Sequence, residues 1–464
     1  MKKTGIVITD GVGFRNFILS DFIAEAEQQF TKVVILSCLP KTAYEDLNLQ
    51  CDIIELEVYE ESFLTWFFRK TKEVAHLQLH RKGNFGITDN FKINNSKAKT
   101  PRGFATRVIY KGTFFFNNEK WIARYNKLQQ LSFRQHTTTK KYCELLNKLE
   151  LDSLFFTHQR PPYIAPLVFA AAQMNIKTIA FIFSWDNLAS KGRMAAAFDY
   201  YLVWSDLMKK DLLNFYTAIL PEQVEIVGTP QFEPYVLPRY GYSVADFYKR
   251  FELDDHRPTL LFSCGDVSTS PNDTVYIESI AAAITNDEFA TAVNLLVRTS
   301  PAEEPKRFAY LAEKYPFIRW NYPQWVQARA NHQEAWSQRL PTIADVNDLK
   351  SVLEHTAVNI NMLSTMSLDY MIFDKPVINT VFGDEINGLA NDQRFLKYAH
   401  IEHVTNSGAT YLALNNNDLI NAINEALKNP FAKSAQQKDL LNLQIGASLE
   451  GTSKRIAKAL YRWS

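Results

Sequence analysis

The stretch that decides the fold is NDLKSVLEHTAVNINMLSTMSLDYMIFDKPVINTVFG, Asn347 to Gly383. An amphipathic helix leads into a short apolar strand, Ala357 to Ile360, and a second buried strand begins at Val377, after Pro376 has ended a second helix. Between the first strand and that helix lies a hydroxyl-rich turn, Ser364-Thr365-Met366-Ser367. This order of strand, turn, helix and strand is typical of a βαβ unit in a parallel sheet.

The hydroxyl-rich turn predicts a phosphate site. Free backbone N–H groups at a helix N-terminus point outward, and hydroxyls add further donors. We therefore expect Ser364, Thr365 and Ser367 to contact a diphosphate, and Asp369, one turn into the helix, to contact a ribose hydroxyl. The alternative is that Ser364 or Ser367 only caps the helix.

The segment resembles the nucleotide-binding half of GT-B glycosyltransferases, in particular bacterial surface-polysaccharide and CDP-glycerol glycerophosphotransferase-like members. Where those proteins usually carry Glu, this chain has Asp369, which is one methylene shorter. The resemblance implies an α/β fold of two doubly wound, Rossmann-like domains facing a cleft, with a nucleotide-sugar as co-substrate and no other cofactor. It is carried by Asp348-Leu349, Val358-Asn359-Ile360, Ser364 to Asp369 and Lys375-Pro376-Val377-Ile378.

The chain of 464 residues is too long for a single core, so two or three domains are expected. No apolar run reaches the roughly 20 residues that cross a bilayer. The N-terminal MKKTGIVITDG lacks the cleavage site of a signal peptide. Four scattered cysteines form no CxxC pair, which indicates reduced thiols. We therefore predict a cytoplasmic protein.

Strands and helices alternate along both halves of the chain, which predicts two domains built from βαβ units. The first, residues 1–233, is expected to be a Rossmann-like acceptor-binding domain with a basic insertion at about 60–148. The second, residues 234–440, is expected to be a Rossmann-like domain that binds the nucleotide-sugar. Gly228 to Pro234 reads as the hinge. The resemblance implies that the C-terminal helix, within 441–464, crosses back onto the first domain.

The insertion is strongly basic. Between Arg69 and Lys141 the chain has 17 Lys and Arg residues against three acidic ones, interleaved with aromatic residues. A solvated surface, an anionic membrane or lipid-linked acceptor, and a nucleic acid all fit such a stretch. No RNA-binding aromatic signature or helix-turn-helix pattern accompanies it, so no nucleic-acid partner is predicted. We expect the Gly/Asn/Lys-rich piece Arg81 to Gly103 to be an insertion or mobile loop.

The first candidate site follows the predicted strand Thr4 to Thr9, in a glycine-containing turn, Asp10 to Asn16. Gly13 allows a close backbone approach, and Arg15 is available to orient an acid or hold an anionic acceptor. In the inverting GT-B enzymes that the chain resembles, the general base often lies on this loop, which makes Asp10 a candidate. The alternative is that Asp10 caps the turn or the following helix.

The loop SWDNLASKG, Ser184 to Gly192, is a second candidate, because so many polar groups after an apolar strand are not a packing pattern. Trp185 is available to stack on a sugar, Asp186 to accept a hydroxyl proton, Asn187 to contact the acceptor and Lys191 to attract diphosphate. The alternative is a structural loop with Asp186 as a cap.

Two questions about the catalytic base remain open in the sequence. It does not choose between Asp10 and Asp186. His158 follows another predicted strand and is either an acid or base, since imidazole titrates near neutrality, or a hydrogen-bonded structural residue.

In the second half, Gly265 lies in a small-residue loop that suits a diphosphate, and Arg298 follows the next strand. A structural salt bridge is the alternative role for Arg298. No histidine precedes Pro301, where glycerophosphotransferase relatives have one, which favours sugar transfer. No cluster of histidines and acids has metal-ligand spacing, so no metal site is predicted.

Together these features predict a metal-independent glycosyltransferase that moves a sugar from a nucleotide diphosphate-sugar to a glycan or lipid-linked acceptor in bacterial cell-envelope polysaccharide synthesis. The alternatives are a nucleotide-sugar epimerase on the same scaffold, a glycerophosphotransferase and a catalytically silent binding protein. If residues 69–141 bind anionic lipid, the protein is peripheral on the inner face of the membrane.

Overall fold

The structure, a computed structural model, describes residues 2–464. The chain forms two compact units, which we call unit 1 and unit 2. Although the sequence assigns residues 327–340 to the second domain, the structure places them in unit 1. Unit 1 is Met1–Glu233 with Gln327–Leu340 and Gln444–Ser464, and unit 2 is Pro234–Val326 with Pro341–Leu443.

Unit 1 is built on a seven-stranded sheet in the order β3-β2-β1-β4-β5-β6-β7, in which all neighbours are parallel. Helices cover both faces of such a sheet, so the strands are near-continuous apolar runs. The strands are β1 Lys3–Ile8, β2 Lys32–Ser37, β3 Asp52–Glu55, β4 Ser153–Phe156, β5 Lys177–Phe181, β6 Tyr200–Val203 and β7 Val224–Ile226.

The helices of the first 233 residues fall into three groups: two after β1, five between β3 and β4, and three among the later strands. They are α1 Gly11–Phe17, α2 Phe22–Gln29, α3 Phe63–His80, α4 Phe85–Ile93, α5 Pro101–Thr113, α6 Glu119–Phe133, α7 Thr137–Leu149, α8 Ala165–Gln173, α9 Asn187–Ser190 and α10 Asp206–Phe215.

The turn predicted at Asp10 to Asn16 is wrong, because those residues form α1. The helical stretch that follows β1 is divided into two pieces, α1 and α2. Phe17 packs on Phe22 across the break, with ring centroids 5.2 Å apart, and on Phe155 of β4 at 5.3 Å. These buried contacts seat both short helices on the sheet.

The expected loop at Arg81 to Gly103 is also wrong, because it contains α4 and the start of α5. Asn84 caps α4, and Thr100 caps α5 with Pro101 in its first turn. These local caps explain why the piece folds as helix. The basic composition of the piece does not indicate them.

Unit 2 contains a six-stranded sheet in the order β10-β9-β8-β13-β14-β15, again parallel throughout. The remaining strands are β8 Thr259–Ser263, β9 Asn294–Arg298, β10 Arg319–Asn321, the paired β11 Trp325–Gln327 and β12 Arg339–Pro341, β13 Val358–Asn361, β14 Val377–Thr380 and β15 Tyr411–Ala413. The helices are α11 Val244–Arg250, α12 Asp273–Thr285, α13 Ala309–Lys314, α14 Ile343–His355, α15 Met366–Met371, α16 Ala399–Thr405, α17 Asn416–Lys428 and α18 Ser434–Ile445.

The last helix, α19 Thr452–Trp463, belongs to unit 1. Trp463 stacks on Tyr200 with ring centroids 4.6 Å apart, and the backbone N–H of Ser453 donates to Glu233 at 3.0 Å. None of the described helices is long and apolar enough to cross a bilayer. The predicted α/β class with two parallel sheets is confirmed.

Candidate active site

Two of the candidate catalytic residues lie side by side in unit 1. Strands β1 and β4 are parallel neighbours, with Val7 opposite Phe156, so the residues that follow them emerge together at the carboxyl edge of the sheet. There His158 Nδ1 lies 2.8 Å from Asp10 Oδ2. Each was predicted separately, and the structure joins them in one hydrogen-bonded pair.

Asp10 is fully buried and held by two groups besides His158. Its Oδ1 accepts from the Gly13 backbone N–H at 2.8 Å, which caps α1, and its Oδ2 accepts from the Thr9 hydroxyl at 3.0 Å. Burial opposes ionisation, but the hydrogen bond and charge of His158 and the donors Gly13 and Thr9 together hold the pKa of Asp10 below its usual value. Asp10 is therefore a carboxylate at neutral pH, and it caps the helix as well as facing His158.

The ring of His158 is fixed from two sides. It stacks on Phe183 with centroids 3.9 Å apart and planes 16° apart, while Asp10 accepts from Nδ1. With Nδ1 bearing the proton, Nε2 presents a lone pair. Nε2 has no hydrogen-bond partner among residues 2–464 and is not sealed from solvent. This arrangement can accept a proton from a bound hydroxyl.

Two glycines pack closely around the pair. A Cβ on Gly13 would lie 2.7 Å from Thr157 Oγ1, and one on Gly11 would lie 1.6 Å from the backbone oxygen of Arg339. Gly11 thus lets the segment Gln327–Leu340 approach the start of α1. Arg15, the other predicted residue of this helix, donates from Nε to Asn16 at 3.1 Å and forms no ion pair with a described residue.

The segment Gln327–Leu340 is a part of the site that sequence reasoning missed. Its Gln333 donates to the Tyr59 carbonyl at 2.7 Å, and its Trp336 ring lies 6.4 Å from the His158 ring, centroid to centroid. Its His332 packs edge-on against Tyr163 at 5.0 Å. The segment has neither helical nor strand periodicity, and its only signal is a polar run that includes Trp and His between two predicted elements.

Glu334 of this segment has a raised pKa of about 7, because burial raises it and Asp10 raises it further while Arg69 and Arg160 lower it. It lines a cavity of about 450 Å³ with Arg69, Trp66, His332 and others. Arg69 is itself paired with Glu61 and Glu73, each at 2.7 Å. The Asp10–His158 pair does not line this cavity.

The raised pKa of Glu334 makes stability depend on pH. Its folded pKa is about 7 against 4.5 unfolded, so its contribution is present below pH 4.5 and lost as the pH rises through 7. The unfolding free energy of the wild type should fall as the pH rises from 4.5 to 7. For Glu334→Gln we expect this fall to be smaller by about 1–2 kcal/mol. Chemical denaturation at several pH values measures this, and Glu385→Gln, at an exposed position, is the control. If the unfolding free energy of wild type and Glu334→Gln changed equally with pH, the prediction would be wrong.

The loop Ser184 to Gly192 is tied to the residues after His158. Gln159 donates to Asn187 Oδ1 at 3.0 Å and accepts from the Phe183 N–H at 3.1 Å, and Arg160 donates to the Gly192 carbonyl at 2.7 Å. The loop therefore helps to position the Phe183 ring under His158.

The predicted binding residues of this loop differ in how far their side chains are exposed to solvent. Asp186 accepts from Asn187 Nδ2 at 3.0 Å and lies 3.4 Å from Lys191 Nζ. Trp185 is only 6% exposed, so stacking on a sugar would require its ring to be uncovered. Asn187 is likewise buried, and Lys191 is the most exposed of the four. Their contacts with an acceptor stay predictions.

In unit 2, the predicted phosphate ligand Arg298 is buried and already paired. Its guanidinium donates to both oxygens of Asp345, at 2.9 and 3.1 Å, and to Asn321. The predicted loop residue Gly265 donates its N–H to Asp273 at 2.9 Å. Burial raises the pKa of Asp273 to about 7, although Ser270 and Arg307 lower it. Both predicted phosphate contacts therefore lie in internal networks.

The predicted phosphate turn divides into accessible and buried halves. Ser364 and Thr365 reach the surface in part, and the Thr365 hydroxyl makes no capping bond. Ser367 is buried between Asn361 and Asn379, with its hydroxyl 3.0 Å from Asn379 Nδ2. The capping alternative applies to Ser364, whose Oγ accepts from the Met366 N–H at 3.0 Å.

Asp369, the predicted ribose ligand, is 3% exposed and accepts a hydrogen bond from the Tyr235 hydroxyl within unit 2. Its carboxylate is thus engaged inside the unit rather than presented at the surface. The ribose contact stays a prediction that would require this bond to be exchanged.

One group of side chains has the spacing of a metal site, although no metal was predicted. His76 and His80, one turn apart on α3, and Glu119 of α6 place their ligand atoms within 4.8 Å of one another. Arg193 already pairs with Glu119 through two bonds of 2.9 Å and donates to His76 Nδ1 at 3.3 Å. A cation therefore already neutralises the only acid of the group, and we assign no metal to it.

No protein-family model and no curated protein sequence matches the chain. Solved structures do. UDP-GlcNAc 2-epimerase from Neisseria meningitidis, bound to UDP-GlcNAc, has a TM-score of 0.53 at 11% identity over 100% of both chains. A putative UDP-N-acetylglucosamine 2-epimerase from Listeria monocytogenes has a TM-score of 0.56 at 10% identity, covering 99% of this chain and 96% of its own. A glycosyltransferase from Rickettsia africae has a TM-score of 0.51 at 13% identity, covering 99% and 98%.

The protein has a GT-B-like fold. The GT-B fold predicted from the Asn347 to Gly383 segment is thereby confirmed, with its two parallel sheets of seven and six strands. At 10–13% identity these three structures define the GT-B-like fold of the chain and leave its activity open.

Proposed function

We propose that this protein is a nucleotide-sugar-using enzyme, and specifically a metal-independent glycosyltransferase in which His158 is the general base. The observation that carries the proposal is the His158–Asp10 pair at the carboxyl edge of the unit 1 sheet, with Nε2 unpartnered. A doubly wound sheet presents its ligand-binding groups at this edge. An oriented imidazole beside a buried carboxylate is suited to deprotonate an acceptor hydroxyl.

The proposed step is a single displacement. Nε2 takes the proton of the acceptor hydroxyl as its oxygen bonds to the anomeric carbon, and the bond from that carbon to the nucleoside diphosphate breaks. Asp10 stabilises the imidazolium that forms, because it is a carboxylate whose pKa lies below its usual value. The proton later passes to solvent or to the released diphosphate. The anomeric configuration inverts in such a step.

For the nucleotide, we assign the contacts in unit 2 to the Ser364 and Thr365 hydroxyls. They are the part of the predicted turn that reaches the surface, whereas Ser367 and Asp369 are buried in hydrogen bonds. The loop that follows Gly265, in which Ser268 and Thr269 are exposed, is a further place for phosphate oxygens.

Ser364→Ala combined with Thr365→Ala is expected to weaken nucleotide binding about tenfold or more, because each lost hydroxyl removes a hydrogen bond to a charged phosphate. Isothermal titration calorimetry measures this. The matched control is Thr405→Ala with Ser407→Ala, another Thr and Ser of unit 2 whose hydroxyls bond to the Ile401 and Val404 carbonyls. Unchanged affinity in the first pair would remove these hydroxyls from the nucleotide site.

A second candidate is a nucleotide-sugar epimerase, since two of the structurally similar proteins described above carry that name. The two activities differ in their need for a second substrate. An epimerase converts the nucleotide sugar alone, whereas a transferase releases nucleoside diphosphate and needs an acceptor hydroxyl.

A panel of UDP-, GDP-, CDP- and TDP-sugars identifies the donor by thermal shift, because a ligand that binds only the folded state raises Tm. The donor found is then incubated with and without simple glycan acceptors, and products are separated by mass. A new sugar isomer without acceptor would replace the transferase with the epimerase. If no nucleotide sugar raised Tm, the protein would instead be a binding protein for other ligands.

A further inference from the structure

An exposed aromatic surface lies on α5 and the turn after it. Five apolar side chains there are between 44% and 75% exposed, and Phe115 is the most exposed of them. Two of them, Phe104 and Val108, lie on the face of α5 opposite its buried residues, and the other three follow the end of the helix at Thr113. We call them the 104–116 patch: Phe104, Val108, Phe114, Phe115 and Phe116.

Contacts with neighbouring elements hold α5 and the turn after it in place. The other face of α5 packs Ile109 and Tyr110 against Val74 of α3, and the Tyr110 hydroxyl donates to the Phe91 carbonyl at 2.7 Å. Beyond the helix, the Tyr125 hydroxyl donates to the Phe116 carbonyl at 3.0 Å. The rings are therefore presented by structure and are not the result of a frayed end.

The segment that carries the patch is cationic. Between Asn90 and Asn118 the chain has six Lys and Arg residues and no acid. Lys97 and Lys111 line an open groove of about 670 Å³ whose walls include Phe114 and Phe115. Aromatic rings beside basic side chains suit the boundary between lipid headgroups and acyl chains.

We propose that the 104–116 patch attaches the protein to an anionic lipid bilayer. Phe114 and Phe115 enter the headgroup–acyl boundary, and the surrounding Lys and Arg side chains bind lipid phosphates. The charge selects this occupant, because a second copy would bring two cationic surfaces together. Since no described helix can span a bilayer, the attachment is peripheral.

The test is vesicle flotation of the full chain. We expect binding to vesicles of phosphatidylcholine mixed with phosphatidylglycerol to exceed that to phosphatidylcholine alone by about tenfold or more, and to weaken with added salt. Phe114→Ser with Phe115→Ser should lower it about tenfold by removing the inserting rings. Lys97→Gln with Lys111→Gln should lower it by a similar factor, about tenfold.

The matched control is Ile386→Ser with Phe431→Ser, two apolar side chains of unit 2 that are 92% and 68% exposed. It should bind as the wild type does. Tm values for all variants exclude unfolding as the cause of lost binding.

Equal binding to both vesicle types would overturn the proposal, and so would undiminished binding by the Phe114→Ser, Phe115→Ser variant. A third contradicting result is a dimer that the wild type forms with rising concentration and this variant does not form. His158→Ala should bind vesicles normally, so the outcome here is independent of the proposed chemistry.

Discussion

His158→Ala is expected to lower turnover by about 10²–10⁴-fold, because it removes the group that accepts the acceptor proton. Nucleotide affinity should stay at the wild-type value, since we assign the nucleotide contacts to Ser364 and Thr365 of unit 2. The loss should therefore appear in kcat and in kcat/KM together, which is the pattern of an interaction made only in the transition state.

The measurement is the rate of nucleoside diphosphate release with donor and acceptor both saturating, alongside calorimetric affinity for the nucleotide. Removing the His158 ring also takes the stacked ring from Phe183 and the imidazole partner from the buried Asp10, so Tm must be compared. His158→Gln, which keeps part of the volume and a polar tip, should fold more stably and remain equally slow. A His158→Ala enzyme that retains full turnover with normal Tm would exclude the assignment.

Asp10→Asn is expected to lower turnover by about 10³-fold or more, although the substitution adds no volume. The amide oxygen can still accept from the Gly13 N–H, which caps α1. Its NH₂ group then faces His158 Nδ1 and donates to it, which moves the ring proton to Nε2 and removes the lone pair. The fold is kept while the base has the wrong tautomer.

Asp186→Asn is the comparison for this variant, because Asp186 also follows a strand of unit 1 and pairs with Lys191 at 3.4 Å. We expect its turnover to fall far less than that of Asp10→Asn. The same rate assay and nucleotide titration apply to both. If Asp186→Asn were the slower enzyme, the base would belong to the SWDN loop, and if both kept wild-type rates, neither acid would be part of the chemistry.

Much of the fold is readable in the sequence because buried parallel strands are local, apolar and evenly spaced. Strands such as Lys177–Phe181 and Val377–Thr380 have this pattern, and Pro376 marks where a helix must end. The α/β class follows from this pattern, whereas the GT-B fold is what the resemblance of the Asn347 to Gly383 segment implies. Short caps are harder to read, which is why the sequence predicts a turn over Asp10 to Asn16, where α1 begins at Gly11, and a loop over a stretch that includes α4.

The candidate site was less predictable because it depends on contacts between distant residues. Asp10 and His158 are 148 positions apart and meet only because β1 and β4 are sheet neighbours. No local pattern encodes that pairing. The segment Gln327–Leu340 likewise joins unit 1 from a remote part of the chain, and Gly11 allows it to approach.

Polar residues that follow strands are either exposed or engaged in buried contacts, and the sequence does not distinguish the two. Ser364 and Thr365 reach the surface, whereas Ser367, Asp369 and Arg298 are engaged in buried hydrogen bonds or ion pairs. The residue types are the same ones that bind phosphate. Only the tertiary partners, Asn379, Tyr235 and Asp345, distinguish the two.

The most direct test of the central claim is nucleoside diphosphate release by wild type and His158→Ala, with the nucleotide sugar that the thermal-shift panel selects and an acceptor present. The account predicts release by the wild type, at least about a hundredfold slower release by His158→Ala, and the same nucleotide-induced rise in Tm for both. Equal release by the two enzymes, or no nucleotide sugar that raises Tm, would contradict it.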